Sequence, residues 1–268
     1  MADVPALVIT LLLVGLLLVL AEMVRALLDG DLITLRRPRR PLVVEWHVVA
    51  VAAVFVLVFV LPAVIESVRG RRLQEGGASE KSVVFSIIVS LVIFGAVVPL
   101  LAATGKNRLA DYGLDMQGWR AEMRYGGLGY LVSIPLVLAV MVVMGLAALR
   151  GPQHVHPYLK LLETGNDSAI IGVAFAAVVA APLAEELIFR VVLQGLLESA
   201  LPSWAAILIP AVAFAAIHGR HDALPLFPLA VVLGIVYHLR RSFVAVFTIH
   251  AMFNATFLVL TLCDREFS

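Results

Sequence analysis

Glu185, Glu186 and Arg190 lie close together inside a long apolar stretch of the sequence. A charged side chain near the middle of a bilayer costs about 2.5–3.5 kcal/mol even on the gentler insertion scales. Glu186 and Arg190 are four positions apart, so on a helix they share a face, with the acid N-terminal to the base as an ion pair prefers. Glu185 is rotated by about 100° from Glu186. We therefore expect Glu186 and Arg190 to pair as supporting residues, and Glu185 to face a cavity as a general base or acid.

Two further apolar stretches carry polar side chains at helical spacing. Phe214 and His218 share one helix face, and His250 and Asn254 share another. Small residues before His218 leave room for a water molecule between its imidazole and the Glu185 carboxylate. His250 and Asn254 form a donor pair that could stabilise an oxyanion, or could complete a metal site with His218 and a carboxylate. These residue types together predict hydrolysis.

Each of these patterns also has a purely structural interpretation. The acid pair and its arginine could be an ion-pair lock between helices. His218 stands beside Arg220 and His221, so it could lie at the membrane interface. His250 and Asn254 could hydrogen-bond across helices, as polar residues do in other membrane bundles. Hydrolysis is favoured because all three patterns fall in the C-terminal apolar stretches, whereas the first four stretches carry almost no such groups.

The composition identifies the class of protein. The chain has 268 residues, of which 62% are hydrophobic and 15% are charged, whereas soluble domains are nearer half apolar and a quarter charged. This indicates a multi-pass integral membrane protein with the lipid bilayer as a partner. Basic runs interleaved with aromatic residues are absent, which argues against a nucleic-acid partner. The single cysteine, Cys263, cannot form an internal disulfide.

Eight apolar stretches have about the length that a bilayer requires. They are residues 4–25, 42–65, 82–104, 127–149, 168–197, 203–219, 223–239 and 242–262. The predicted fold class is therefore all-α, a polytopic membrane protein of about eight transmembrane helices with a polar intramembrane cavity. We interpret the first stretch as a retained span, since it lacks the basic start and cleavage site of a signal peptide.

The organisation along the chain suggests two regions of one membrane domain. Residues 1–150 form an N-terminal four-helix region without a motif, and residues 151–268 form the C-terminal catalytic region. The fifth stretch is longer than a bilayer is thick, and Pro182 is where we expect it to bend and loosen backbone carbonyls near Glu185. Trp119 suggests an interfacial segment before the fourth stretch.

One cluster of basic residues lies at the end of the seventh stretch. His238, Arg240 and Arg241 follow an apolar run. Long cationic side chains in such a position commonly extend towards the membrane surface while their stems stay in the apolar region. We therefore expect these three residues to be snorkelling cations with no part in the chemistry.

The ordered set of three motifs resembles the CAAX-protease and bacteriocin-processing family, also called CPBP or Abi, which includes the Ras-converting CAAX endopeptidase. The resemblance covers about residues 168–262. Its motifs here are Glu185-Glu186-x-x-x-Arg190, Phe214-x-x-x-His218 and His250-x-x-x-Asn254.

The resemblance implies an eight-helix intramembrane endopeptidase. In this family the residues matching Glu185 and His218 activate a water molecule, and those matching His250 and Asn254 stabilise the oxyanion. Glu186 and Arg190 match supporting positions. The implied substrate is a membrane-tethered protein or peptide tail. The excess of arginine over lysine, with many Ala, Val and Leu residues, suggests a bacterial source, and therefore the bacterial cytoplasmic membrane as the location.

We expect the protein to use no cofactor. A divalent metal such as zinc is the alternative, but the sequence contains no His-Glu-x-x-His pair, which favours a metal-free glutamate mechanism. Two functional alternatives stay open at this point, a proton-coupled transporter and a non-catalytic immunity or scaffold protein. A transporter of this kind commonly has an inverted repeat, and the first half shows no matching set of charged, broken spans.

Overall fold

Six helices and one short 3₁₀ turn make up nearly all of the described chain. The structure is a computed structural model, and it describes residues 79–104, 108–146, 161–162, 166–219 and 222–266. The helices are α1 (Glu80–Thr104), α2 (Trp119–Leu146), α3 (Asp167–Glu198), α4 (Ser203–Ile217), α5 (Ala223–Arg240) and α6 (Phe243–Glu266). The 3₁₀ turn is Leu109–Tyr112, and no strand occurs in these ranges. The predicted all-α class is confirmed.

Five of these helices are long and apolar enough to cross a bilayer. The qualifying segments are Glu80–Ala103, Trp119–Met144, Asp167–Glu198, Ala223–Arg240 and Phe243–Cys263, while Ser203–Ile217 is apolar but shorter. They correspond to the third to eighth predicted spans. The expected spans at 4–25 and 42–65 lie outside the described residues, so the count of eight stays a prediction.

The start of α2 differs from the sequence-based boundary. This helix begins at Trp119 rather than near residue 127, and it includes Arg120, Glu122 and Arg124. Its polar first turns contained no apolar run, so hydropathy placed the start too late. Glu122 is buried, and it makes a two-bond ion pair with Arg240 at the end of α5 (2.7 and 3.2 Å). Tertiary contacts therefore favour helix where hydropathy indicated a connection.

Helix α3 is continuous through Pro182 but changes its winding twice. Two segments, Ala176–Ala180 and Leu187–Gln194, are wide π-type turns in which the backbone bonds span five residues instead of four. Wide turns of this kind occur where an extra residue is accommodated without ending the helix. The helix thus continues past Pro182, with wider winding in the turns before and after it.

Helices α2 and α6 approach each other closely at two glycines. A Cβ added to Gly126 would lie 2.6 Å from Thr248 Cβ and 2.7 Å from the Ala245 carbonyl oxygen. A Cβ added to Gly129 would lie 2.6 Å from Ile249 Cδ1. Small residues at such crossings let two membrane helices come into backbone contact. This crossing fixes the position of α6, the helix that carries His250, against α2.

Candidate active site

Helices α3, α4 and α6 bring the three predicted motifs to one cavity of about 210 Å³. Glu185, His218, His250 and Asn254 all line it. The remaining lining is mostly apolar. It consists of Val83, Ser86, Val173, Ala176, Ala177, Ala181, Phe214 and Leu226.

The centre of the site is one carboxylate oxygen that faces two imidazoles. Glu185 Oε2 lies 3.9 Å from His218 Nε2 and 3.8 Å from His250 Nε2. These separations are too long for direct hydrogen bonds, whose length is about 2.7–3.2 Å, and they suit a single bridging water. Glu185 and His218 are partly exposed, with 24% and 28% of their side-chain surface accessible, so water can reach them.

Glu186 lies on the other side of α3 and supports the site from the interior. It is fully buried, and its Oε2 is 3.4 Å from Arg190 Nε, so the ion pair expected from their spacing is present. Its second oxygen, Oε1, is 2.7 Å from His250 Nδ1. Glu186 therefore connects Arg190 to the imidazole that faces Glu185, a contact that spacing along the sequence did not reveal.

The end of α4 sets the orientation of His218. Helix α4 stops at Ile217 because Gly219 adopts a left-handed conformation (φ +82°), which glycine tolerates best. The last turn tightens, and the His218 backbone N–H donates to the Ala215 carbonyl. The Phe214 carbonyl then accepts from His218 Nδ1 at 2.7 Å.

The tautomers of both imidazoles follow from these bonds. His218 Nδ1 faces a carbonyl, which only accepts, so this nitrogen carries hydrogen. His250 Nδ1 faces the carboxylate that pairs with Arg190, so it too is the donor. In the neutral rings both Nε2 atoms are then acceptors directed at the region beside Glu185.

A metal would have to use the same three atoms. Histidine ligands of metals often donate their second N–H to a carboxylate or a carbonyl, as both imidazoles do here. The atom separations of 3.8 and 3.9 Å are wider than the roughly 3.3 Å that tetrahedral zinc with bonds of about 2.0 Å requires. Within the described ranges, no group of three His, Cys, Asp or Glu side chains is arranged to hold a metal ion.

Asn254 binds a backbone carbonyl at the edge of the cavity. Its Nδ2 donates to the Ala177 oxygen at 2.8 Å. Ala177 lies in the first wide turn of α3, before Pro182. One N–H of the Asn254 amide is thus bound to α3. This bond uses only one of the two hydrogens on the amide nitrogen.

Phe214 is the common packing partner of the site. It is fully buried, and its ring lies 4.6 Å from the His218 ring and 5.6 Å from the His250 ring, measured between centroids. The Arg190 guanidinium lies over the same ring at 5.1 Å. Phe214 therefore limits the movement of both imidazoles and accommodates the buried arginine.

Sequence reasoning missed two contributions to the cavity. Ser86 and Val83 come from α1, in the half of the chain where no motif was found. A serine within an apolar run has no distinguishing spacing, so no sequence signal marked it. The carbonyl of Ala177 was missed because its availability depends on the winding of α3.

The predicted snorkelling cations are instead internal ion-pair partners, so that expectation is wrong. His238 Nδ1 lies 2.9 Å from Glu198 Oε1, Arg241 binds the other oxygen of Glu198, and Arg240 binds Glu122. We call these five residues the basal cluster. All five side chains are at most 15% exposed. Carboxylates from α2 and α3 reach these cations, and hydropathy along one segment cannot show such partners.

Comparison with known proteins supports the motif assignment. Residues 167–256 match the family model described as Type II CAAX prenyl endopeptidase Rce1-like. No curated protein and no solved structure matched the chain. The match spans all three motifs, the whole of α3 and α4, and α6 as far as residue 256. Residues 167–256, which supply most of the cavity lining, are therefore similar to the CAAX prenyl endopeptidase family, in agreement with the order of their motifs.

Proposed function

We propose that this protein is an intramembrane endopeptidase that hydrolyses a peptide bond in a membrane-presented protein or peptide tail. The family match and the apolar helices support an integral membrane protein whose substrates are membrane-associated. The observation that carries the proposal is the position of Glu185 Oε2, less than 4 Å from both imidazole Nε2 atoms.

The proposed nucleophile is a water molecule held by Glu185 and His218. Two acceptors, the carboxylate oxygen and Nε2, are spaced to receive both hydrogens of one water. Glu185 takes one proton as the water oxygen attacks the carbonyl carbon of the peptide. Glu185 then returns this proton to the nitrogen of the leaving amine as the C–N bond breaks. The products are a carboxylic acid, which keeps the oxygen and one hydrogen of the water, and an amine, which receives the other hydrogen.

The proposed oxyanion donors are His250 and Asn254. A preorganised donor of this type contributes roughly 2.7–4 kcal/mol to transition-state stabilisation. Asn254 offers the N–H that does not bind Ala177. His250 donates from Nε2 only when its ring carries protons on both nitrogens, because Nδ1–H is already directed at Glu186.

We favour a metal-free glutamate mechanism, with zinc as the alternative that uses the same ligands. We place the protein in the bacterial cytoplasmic membrane. We also divide the chain near residue 150 into an N-terminal region that shapes substrate access and a C-terminal catalytic region. Val83 and Ser86 support a role of the N-terminal part in shaping substrate access, because they line the cavity from α1.

The decisive experiment measures cleavage of a farnesylated CAAX-type peptide in liposomes by wild-type protein and by Glu185→Gln. We expect Glu185→Gln to lower kcat at least about 10²-fold, since general-base catalysis contributes roughly 10²–10⁴-fold, with a Tm within a few degrees of wild type. Glu80→Gln, a matched change at an exposed carboxylate of α1, should leave cleavage unchanged. A chelator should have no effect on wild type.

Three outcomes would contradict parts of this proposal. Normal cleavage by Glu185→Gln would show that Glu185 is not the general base. Loss of wild-type cleavage with chelator, restored by zinc, would replace the metal-free mechanism with the metal-dependent one. Biological activity that persists in Glu185→Gln without any cleavage by wild type would support the scaffold alternative.

A further inference from the structure

The carbonyl of Ala177 has lost both of its possible backbone donors. In an α-helix it would accept from the N–H of Ala181, four residues later. Here the Ala181 N–H donates to Ala176 instead, five residues back, because the helix is wide at this point. In a wide turn the donor for Ala177 would be residue 182, but this is proline, which has no N–H.

An unpaired carbonyl at this position would be unfavourable. In a bilayer each backbone polar group that neither the protein nor water satisfies costs several kcal/mol. Ala177 borders the cavity, so water can offset part of this cost, and a fixed side-chain donor removes the remainder. The Asn254 amide supplies the missing hydrogen bond at 2.8 Å. It reaches across from α6, one helical turn beyond His250.

The wide turn also determines where Glu185 points. Residues spaced by four drift by about 40° per step around an ideal α-helix, so a series of three steps would turn by about 120°. One such series lines the same cavity along its whole length, although the drift would turn its last member away from its first. It consists of Val173, Ala177, Ala181 and Glu185. A turn with more residues per revolution cancels part of the drift, and this keeps Glu185 on the face that borders the cavity.

We propose that Asn254, besides offering its second N–H to the oxyanion, is a positioning residue. Its first N–H replaces the backbone donor that Pro182 cannot supply, and thereby holds the wide turn that directs Glu185 into the cavity. Asn254 and Pro182 act as a pair. The proline keeps α3 from returning to regular α-winding, and the amide compensates for the carbonyl left behind. Its effect on cleavage rests on the proposed function, whereas its effect on stability does not.

The test is a double-mutant cycle on the full-length protein in detergent, with Tm and cleavage of the farnesylated peptide both measured. Asn254→Ala alone should lower Tm by roughly 2–5 °C, the size expected for one interhelical hydrogen bond. In the Pro182→Ala background α3 can return to regular winding, in which the Ala181 N–H binds the Ala177 carbonyl. The same Asn254→Ala change should then lower Tm by less than half as much.

Pro182→Ala separates positioning from mere stability. We expect it to leave Tm unchanged or higher, since alanine favours helix. It should nevertheless lower kcat at least tenfold with little change in KM, because the rewound helix turns Glu185 away from the imidazoles.

Thr256→Val is the matched control. Thr256 lies on α6 two residues beyond Asn254, and its hydroxyl makes an interhelical bond to Tyr130 of α2 (2.7 Å). Its Tm loss should be equal in both backgrounds. Equal Tm losses for Asn254→Ala in both backgrounds, or coupling of the same size for Thr256→Val, would overturn the inference. If wild type cleaves nothing, the proposed function fails and the Tm cycle still decides this inference.

Discussion

Phe214 has no hydrogen-bonding atom in its side chain, yet it contacts three polar side chains of the site. Its ring lies against the imidazoles of His218 and His250 and beneath the guanidinium of Arg190. Because the ring is fully buried, a smaller side chain would leave a gap beside both imidazoles. A gap of this kind lets neighbouring side chains leave their preferred rotamers.

We expect Phe214→Leu to reduce the free energy of unfolding by about 1–2 kcal/mol and to lower kcat at least tenfold. The rate should fall because both Nε2 atoms lose their fixed direction towards Glu185. Phe243→Leu removes a buried ring of α6 that packs on Phe94, and it serves as the control with a similar stability loss. Equal kcat values for the two variants would show that Phe214 acts only through packing.

At the scale of the helices, α3 carries two lines of residues spaced by four. One line borders the cavity and ends at Glu185. The other is polar and buried, and consists of Glu186, Arg190, Gln194 and Glu198. In a regular α-helix this second line would drift around the axis, but the wide turn Leu187–Gln194 keeps it on the interior side. The line runs along α3 from the site towards the basal cluster, where Gln194 donates to Glu198 at 3.0 Å.

The crossing of α2 and α6 allows a prediction at the same scale. Gly126→Ala places a methyl group 2.7 Å from the Ala245 carbonyl oxygen and 2.6 Å from Thr248 Cβ, so α6 must shift. We expect a stability loss of about 1–3 kcal/mol, as for other overpacked sites, together with reduced cleavage because His250 moves with α6. The measurement is Tm and kcat in the same detergent.

Gly127→Ala provides the control for this change. A Cβ at Gly127 meets nothing within 4 Å, so the substitution should be neutral or slightly stabilising, since alanine is the better helix former. Equal effects at the two positions would contradict the close approach of α2 and α6.

At the scale of the whole molecule, the basal cluster joins helices from both halves of the sequence. Glu122 of α2 binds Arg240 of α5 through two hydrogen bonds, and the Arg240 guanidinium lies 3.7 Å from the centre of the Tyr125 ring. Glu198 of α3 binds His238 of α5 and Arg241 just beyond it. These pairs hold three helices together at the end of the bundle away from His218.

We expect Glu122→Ala to destabilise the protein by about 3–5 kcal/mol, because it removes the carboxylate that Arg240 binds through two hydrogen bonds at a buried site. The free energy of unfolding in detergent is the measurement, and Arg120→Ala, an exposed change on the same turn of α2, should stay within about 0.5 kcal/mol of wild type. A loss below about 1 kcal/mol for Glu122→Ala would mean that the pair behaves as a solvent-exposed one.

Several features of this protein could be read from the sequence because they depend on local properties. Hydropathy along the chain identified six apolar stretches that are helices in the structure. Helical spacing placed Glu186 and Arg190 on the same helix face, and the order of three motifs indicated the family whose model matches residues 167–256. Amphipathic period and apolar length are set by neighbouring residues, so no knowledge of packing was needed.

Only the tertiary structure decided which atoms meet. The bond between His250 and Glu186, the Ala177 carbonyl that binds Asn254, and the pairing of Arg240 with Glu122 all join residues more than sixty positions apart. Such contacts depend on how helices rotate and cross, and a turn widened by one residue changes the direction of every side chain after it. Hydropathy and spacing contain no measure of that rotation, which is why the sequence identified the polar groups that meet at the cavity but could not orient them.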